Sequence, residues 1–246
     1  PARSGRQGID LQGVPPGRTV SESRLMRAFI VASSPSSLPP ARLHPQPGDL
    51  VLAADGGANL CLAWGWPVDA VVGDMDSVDA AVRRQLEAEG TPFIISPVEK
   101  DETDLDLALH LALAKGATEL IIAGALGARI DHTLGNLALL ALPALAALPT
   151  CIADGDQTIW LVRDRLVVPG QPGDILSLLP FGGDAQGVSL SGVYWPLHEA
   201  NLPLGPSLSI SNRMVEPQAK ISVQSGMVLA IHIHPQVRLP AGPTGT

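Results

Sequence analysis

Residues 70–86 read AVVGDMDSVDAAVRRQL: a short apolar run, two acids at Asp74 and Asp76, then apolar residues at helical spacing. An apolar run of strand length leading into a segment of period 3.6 is one strand–loop–helix unit. The same unit recurs through the first half of the chain. RAFIVAS (27–33), DLVLAAD (49–55), DAVVGD (69–74), TPFIIS (91–96), ELIIAGA (119–125) and TCIAD (150–154) read as buried strands. Between them, ANLCLAWG (58–65), VDAAVRRQLEAEG (78–90), DLDLALHLALAKG (104–116) and DHTLGNLALLALPALAAL (131–148) read as helices. Gly90 and Gly116 stand where helices close, Ser77 suits the N-cap of the second helix, and Thr103 with Asp106 resembles a capping box for the third. Strand and helix alternating at this pace predict a parallel sheet with helices on both faces.

After about Gly155 helical spacing disappears. DILSLLPF (174–181), GVSLSGVYW (187–195), SLSISN (207–212), AKISVQ (219–224) and MVLAIHIH (227–234) alternate apolar with polar between Gly and Pro. That is the pattern of half-buried antiparallel strands. The expected organisation is a disordered extension over 1–24, an α/β nucleotide-binding catalytic domain over 25–154, an all-β sandwich over 157–236 and a flexible tail over 237–246. The opening segment is polar, rich in Gly, Pro and Arg, and lacks the apolar core of a secretory signal. It begins at Pro1 rather than Met, as a processed or trimmed terminus would.

The chain has 246 residues, 46% of them hydrophobic, and a formal net charge of −8. The apolar content suffices for a core, and the acidic balance argues against a general nucleic-acid binder, which needs a basic face. No apolar run is long enough for a membrane span; LALLALPALAALP is short and interrupted by Pro143. Cys61 and Cys151 have no CxxC or Cys/His partner spacing and read as buried reduced thiols, as in a cytoplasmic protein.

In a parallel sheet the loops after the strands share one edge, where ligands bind. Here those loops are acidic: Asp55 in DGGAN, Asp74 and Asp76 in GDMDS, Lys100, Asp101 and Asp104 in KDETD, and Arg129, Asp131 and His132 in GALGARIDHTLGN. Each has a bland reading as a turn or helix-end acid. Together they repel one another and call for a counter-charge. Mg²⁺, which prefers carboxylates, phosphate oxygens and water, is the natural one. A magnesium-bound polyphosphate would account for Gly56, Gly57 and Gly127, whose backbone N–H groups can approach phosphate, and for the charges of Lys100 and Arg129. His132 and Asn136 share one helix face at i,i+4 spacing. The chemistry this suggests is phosphoryl-type transfer.

The ordered set DGGAN, GDMDS, KDETD and GALGARIDHTLGN, followed by SLSGVYWPL (189–197), LGPSLSISN (204–212) and a last alternating strand, closely resembles the thiamine pyrophosphokinase family over about residues 27–235. The resemblance implies a Rossmann-like parallel sheet plus a thiamine-binding β-sandwich. It implies a homodimer with its active site at the subunit interface, making thiamine diphosphate and AMP from thiamine and ATP. It gathers Asp74, Asp76, Asp104 and Asp131 as catalytic acids, the first three on Mg²⁺. Asp55, Gly56, Gly57, Asn59, Lys100, Thr103, Gly127, Arg129, His132 and Asn136 would line the nucleotide pocket, and Ser211 with Asn212 would face thiamine. Two departures from the family pattern are Ala128, where a second glycine is common, and Met227 near where some relatives carry a stacking Trp.

Trp195 is expected in the sandwich core, with a ring platform as its other reading. His232 and His234 alternate onto one strand face and, lacking a third ligand in the sequence, read as exposed or satisfied strand histidines rather than a metal pair. The rival readings of the whole are a haloacid dehalogenase-like Mg-dependent phosphatase, since DMDSV also resembles that family's DxD signature, and a non-catalytic nucleotide- or thiamine-binding relative.

Overall fold

The computed structural model describes residues 25–96, 102–127 and 129–234. Its first half is built from β1 (Arg27–Val31), β2 (Leu50–Ala54), α1 (Gly57–Ala63), β3 (Ala70–Gly73), α2 (Ala80–Ala88), β4 (Phe93–Ile95), α3 (Asp104–Ala114), β5 (Glu119–Ala123), α4 (Ile130–Leu139), a 3-10 turn (Pro143–Leu145) and β6 (Thr150–Asp154). The strands lie in the order β6-β5-β1-β2-β3-β4, each parallel to its neighbours. The chain steps outward from β1 to β4, then returns through β5 to the other side of β1. That reversal between β1 and β5 is the topological switch point, and in open α/β sheets ligands bind at the strands' carboxyl ends near such a point.

Successive side chains of a strand point to opposite faces, so both faces need cover and the strands are apolar throughout. Ile30, Leu52, Val72, Ile122 and Ile152 pack with α3 and the 3-10 turn on one face. Phe29, Val51, Val71, Ile121 and Cys151 pack on the other against Ala58 and Cys61 of α1 and Leu86 of α2. Thr103 is the N-cap of α3, its hydroxyl accepting from the Asp106 N–H at 3.2 Å. Gly90 and Gly116 follow α2 and α3 with φ of +78° and +84°, as closing glycines require. The cap of α2 differs from expectation: the loop bearing Ser77 runs two residues further and Asp79 takes the N-cap. The expected long fourth helix stops at Leu139, because Pro143 cannot continue it and opens the 3-10 turn instead.

The second half is entirely β: β7 (Gln157–Val162), β8 (Arg165–Pro169), β9 (Ile175–Pro180), β10 (Ala185–Ser191), β11 (Leu197–Leu202), β12 (Asn212–Arg213), β13 (Gln218–Ser222) and β14 (Val228–Ile233). A tight turn carries β6 back as β7, antiparallel with Asp154 opposite Gln157. Beyond β7 the sheet continues through β14, β9 and β12, so ten strands form one sheet. A second sheet, β11-β10-β13-β8, is antiparallel throughout. It closes a sandwich core in which Val168, Val188, Leu190 and Ile221 meet Leu176, Leu178, Val228 and Ala230 of the large sheet. One layer of the sandwich is therefore an extension of the parallel sheet, since a turn of two residues leaves no linker. SLSISN, expected as a strand, pairs only at its last residue, because Ser211 adopts φ +61° and breaks the extended run.

Candidate functional site

Parallel strands β1 to β6 bring the loops after them to one edge, and three glycines let those loops close up. Gly57 opens α1 beneath the end of β1: a Cβ there would stand 1.9 Å from the Val31 carbonyl oxygen. No side chain fits, so the second glycine of DGGAN is a packing requirement. Gly124 is equally tight, with Ala32 O at 2.4 Å from its would-be Cβ. Gly73 ends β3 directly beneath two acids, and a Cβ there would lie 2.9 Å from Asp55 Cβ and 3.0 Å from Asp104 Oδ1.

Over that bare Cα the carboxylates of Asp55, Asp74 and Asp104 converge, each offering an oxygen within 4.8 Å of the others. Asp55 is buried, with φ +45°, and its N–H donates to the Val72 carbonyl at 2.8 Å, which fixes it to β3. Burial pushes its carboxyl above the usual carboxylate range and Asp104 adds repulsion, while hydrogen bonds from Ser77 and the Gly56 backbone pull the other way. An all-oxygen set with one desolvated member suits a hard divalent cation, whose charge would relieve both costs. Met75, at φ +68°, turns its side chain into the apolar core under α1 and α2. Asp76 lies outside the converging triad: it is exposed, and its carboxylate accepts from Ser77 Oγ at 2.8 Å. The triad thus contains Asp55, expected in the nucleotide pocket, and lacks Asp76, expected on the ion.

The loop after β5 is held by contacts that the sequence did not reveal. Leu126 O accepts from Ser34 Oγ at 2.6 Å and from Ser37 Oγ at 2.9 Å, both from the loop after β1. Thr133 Oγ1 accepts from the Gly127 N–H, and Asn136 Nδ2 donates to Ala125 O at 2.8 Å. Asn136 therefore braces the glycine loop. Asn59 does the same for the GDMDS loop, donating to Ser77 O and accepting from the Asp79 N–H, each at 3.0 Å. Arg129, Asp131 and His132 stand exposed at the start of α4. The Arg129 guanidinium forks onto Asp131 and, mainly through that hydrogen bond, lowers the Asp131 carboxyl to about 2. Lys100 and Asp101 of KDETD, Ala128, the extension 1–24 and the tail from 235 onward lie outside the described residues. Signals for Ser34 and Ser37 were present in the sequence: ASSPSS follows a buried strand, as the acidic loops do.

In the sandwich, Ser211 is exposed and Asn212 is buried. The Asn212 carboxamide is committed to Trp195, accepting from its N–H at 3.1 Å and donating to its carbonyl at 2.7 Å. Trp195 is not a core residue: it is 57% exposed, edge-on to Tyr194 with ring centroids 4.8 Å apart. The tight backbone of the 192–195 bend turns it outward, since Gly192 sits against the Gln218 carbonyl with no room for a side chain. Leu204, Leu208 and Ile210 are also exposed. Met227 is half-buried. His232 is fully buried, and Asp174, at the start of β9, supplies the third group that the sequence lacked beside His232 and His234. Cys61 and Cys151 are both free and buried, their thiols pushed up to about 12 by burial. Among the described residues no helix is long and apolar enough to cross a membrane.

Fold and site define a mixed α/β protein whose parallel sheet carries an acidic, glycine-lined edge and whose end is capped by an antiparallel sandwich. Residues 46–152 match the family model described as thiamin pyrophosphokinase, catalytic domain, and residues 165–228 match that described as thiamin pyrophosphokinase, vitamin B1 binding domain. Thiamine pyrophosphokinase of Bacillus subtilis is 32% identical over 212 residues, covering 82% of this chain and 96% of that protein. The crystal structure of a Bacillus subtilis thiamine pyrophosphokinase superimposes with a TM-score of 0.76 at 28% identity, over 84% of this chain and 98% of that one. That of the thiamin pyrophosphokinase from Geobacillus thermodenitrificans gives 0.75 at 26% identity, over 86% and 99%. The chain belongs to the thiamine pyrophosphokinase family and is an enzyme of that family.

Proposed function

We propose that this chain makes thiamine diphosphate and AMP by moving a pyrophosphoryl group from ATP to the hydroxyl of thiamine. The observation that carries the reading is the match of both halves, catalytic and vitamin B1-binding, in one chain with the acid triad at the edge of the first. The hydroxyl oxygen forms its new bond to the β-phosphorus as the bond from that phosphorus to the α–β bridging oxygen breaks. AMP leaves with that oxygen, and the hydroxyl proton passes to a base.

Asp55, Asp74 and Asp104 would hold Mg²⁺, with Asp76 two residues beyond Asp74 to reach it or its waters. The ion would neutralise the polyphosphate and make the hydroxyl more acidic. The residues themselves place the reactants. Gly56, Gly57 and Gly127 let phosphate come close to the backbone, the Gly127 N–H exchanging Thr133 Oγ1 for a phosphate oxygen, and the N-terminus of α4 adds a favourable potential for anions. Arg129 exchanges Asp131 for phosphate oxygens, and Lys100, Thr103 and His132 complete the nucleotide side. An aspartate near the ion is preferred over His132 as base, because metal binding would already acidify the hydroxyl. The Rossmann-like assignment of the sheet rests on the reversal between β1 and β5. Ser211 and Trp195, the latter held by Asn212, form the proposed thiamine side.

The active unit is a homodimer, a reading supported by the exposed apolar side chains of Tyr194, Trp195 and Ile210 beside Ser211 and Asn212. The two free thiols fit a cytoplasmic location. Incubating the chain with ATP, Mg²⁺ and thiamine tests the whole reading. AMP appearing with thiamine diphosphate in equal amounts is expected; inorganic phosphate alone points to a phosphatase, and tight binding without turnover to a non-catalytic relative.

A further inference from the structure

We propose that Asp174, His232 and His234 form a second cation site, in the sandwich, for a borderline transition ion of the Zn²⁺ type. Asp174 Oδ2 lies 2.9 Å from His232 Nε2 and 3.0 Å from His234 Nδ1. The fold builds this arrangement from two adjacent strands. His232 and His234 are two residues apart at the end of β14, His234 just past its last residue, and so share one face. Asp174 immediately precedes β9, whose Ile175 and Leu176 pair with Ile233 and His232. The carboxylate is itself anchored, accepting from the Gln171 N–H at 3.1 Å. The cluster is out of solvent: the His232 side chain is 1% exposed, Asp174 7% and His234 11%.

Two imidazoles and a carboxylate, with both reaching nitrogens aimed at one oxygen, are the donor set of a three-ligand zinc site with an open fourth position. Bonds of about 2.0–2.1 Å in tetrahedral geometry separate ligand atoms by about 3.3 Å. The present contacts need to open by only a few tenths of an ångström, which side-chain rotation supplies. The ion would replace the two shared hydrogens. Mg²⁺ is a poor occupant, because it demands oxygen ligands in octahedral order, whereas imidazole suits Zn²⁺, Co²⁺ and Ni²⁺. The triad Asp55, Asp74 and Asp104 is all oxygen and has the opposite preference. The two sites are therefore separated by chemistry as well as by position in the fold.

One feature of the pocket bounds the affinity. His232 Nδ1 is buried with no hydrogen-bond partner, so the ring lacks the outer-shell acceptor that orients most metal-bound histidines. A missing partner of that kind lowers affinity by about 10–100-fold. The expected binding is thus micromolar rather than the far tighter grip of a zinc finger, and the ion is expected to brace the start of β9 against the end of β14.

The test uses the full chain, stripped with a chelator and dialysed against Zn²⁺ in excess Mg²⁺, with bound metal counted per chain. One zinc is expected to be retained, to raise the thermal midpoint, and to remain in Asp74→Asn. His234→Gln, at the least buried ligand, and Asp174→Asn should each weaken binding at least 10-fold and abolish the thermal shift. Co²⁺ in place of Zn²⁺ should give the strong visible absorption of a four-coordinate ion in the unaltered chain, which does not depend on any variant folding. The proposal is overturned if no zinc is retained, if Asp74→Asn removes it, if the cobalt protein has only the weak spectrum of a six-coordinate ion, or if both sandwich variants bind as the parent does.

Discussion

The carboxylate of Asp104 rests over the bare Cα of Gly73: a Cβ at position 73 would lie 3.0 Å from Oδ1 and 3.1 Å from Cγ. Asp104 belongs to α3 and Gly73 to β3, so the missing side chain lets a helix N-terminus bring its acid over the strand end. Gly73→Ala should push Asp104 off that position and strain a backbone at φ +151°. We expect at least a 10-fold loss of turnover and a higher Mg²⁺ requirement, with helix and strand content retained by circular dichroism. A variant with the parent's Mg²⁺ dependence would remove Gly73 from the site.

Asp55 is expected to reduce stability for the sake of the site. Burial raises its carboxyl above the value in the unfolded chain, so the folded state holds that proton more tightly. Its contribution therefore favours folding below the unfolded pKa and turns unfavourable as pH rises through and beyond the folded one. At neutral pH, without metal, Asp55→Asn should be more stable than the parent to urea, and the difference should shrink as pH falls through the raised folded pKa and level off by about 4, the unfolded value. The same variant should lose nearly all turnover. A less stable Asp55→Asn at pH 7 would mean that the hydrogen bonds from Ser77 and Gly56 outweigh desolvation.

The first half of the fold was legible because its signal is local: strand-length apolar runs alternate with helical periods, and the parallel topology alone sends every acidic loop to one edge. The cap at Thr103 and the closing glycines at 90 and 116 were equally local. What the sequence withheld depends on which loops abut across the sheet. Ser34 and Ser37 bind Leu126 only because β1 and β5 are neighbours, although 89 or more residues separate them. Asn59, Asn136 and Asn212 were expected as ligand contacts; that their amides also brace backbone depends on which loops abut. Asp174 joins His232 across a separation of 58 residues, beyond the reach of any spacing rule. Trp195 misled for a related reason: an aromatic in an alternating strand is usually inside, but Gly192 and Asn212 turn this one out.

Asp74 and Asp76 separate by environment, and their variants should separate too. Asp74 is in the converging triad; Asp76 is exposed and held by Ser77 Oγ. Asp74→Asn should lower kcat by at least about 100-fold, on the scale of losing one charge-stabilising group. Asp76→Asn should also lose activity, with a larger share appearing as a raised Mg²⁺ requirement that excess Mg²⁺ partly restores. Neither should change the unfolding free energy in urea by more than about 0.5 kcal/mol, since both side chains are at least partly exposed. Near-parent kinetics in both variants would sink the metal assignment.

The exposed apolar surface around Trp195 supplies the last prediction. Tyr194, Trp195, Leu208 and Ile210 are all at least 45% exposed, and apolar side chains flanking the proposed substrate residues are costly to leave in water. A second copy of the chain would cover it and bring Ser211 and Trp195 toward a partner's acidic edge. Leu208→Glu places a charge where that contact would be dry, so it should shift the chain from dimer to monomer in sedimentation at assay concentration. Activity should fall with the dimer fraction and return as protein concentration is raised, a recovery that simple misfolding would not give. Asn212→Ala tests the other half of the relation. It removes both hydrogen bonds to the Trp195 backbone, and should raise the KM for thiamine more than it changes the KM for ATP while leaving the dimer intact. A fully active monomer, or equal effects on both substrates, would place the thiamine site elsewhere in the fold.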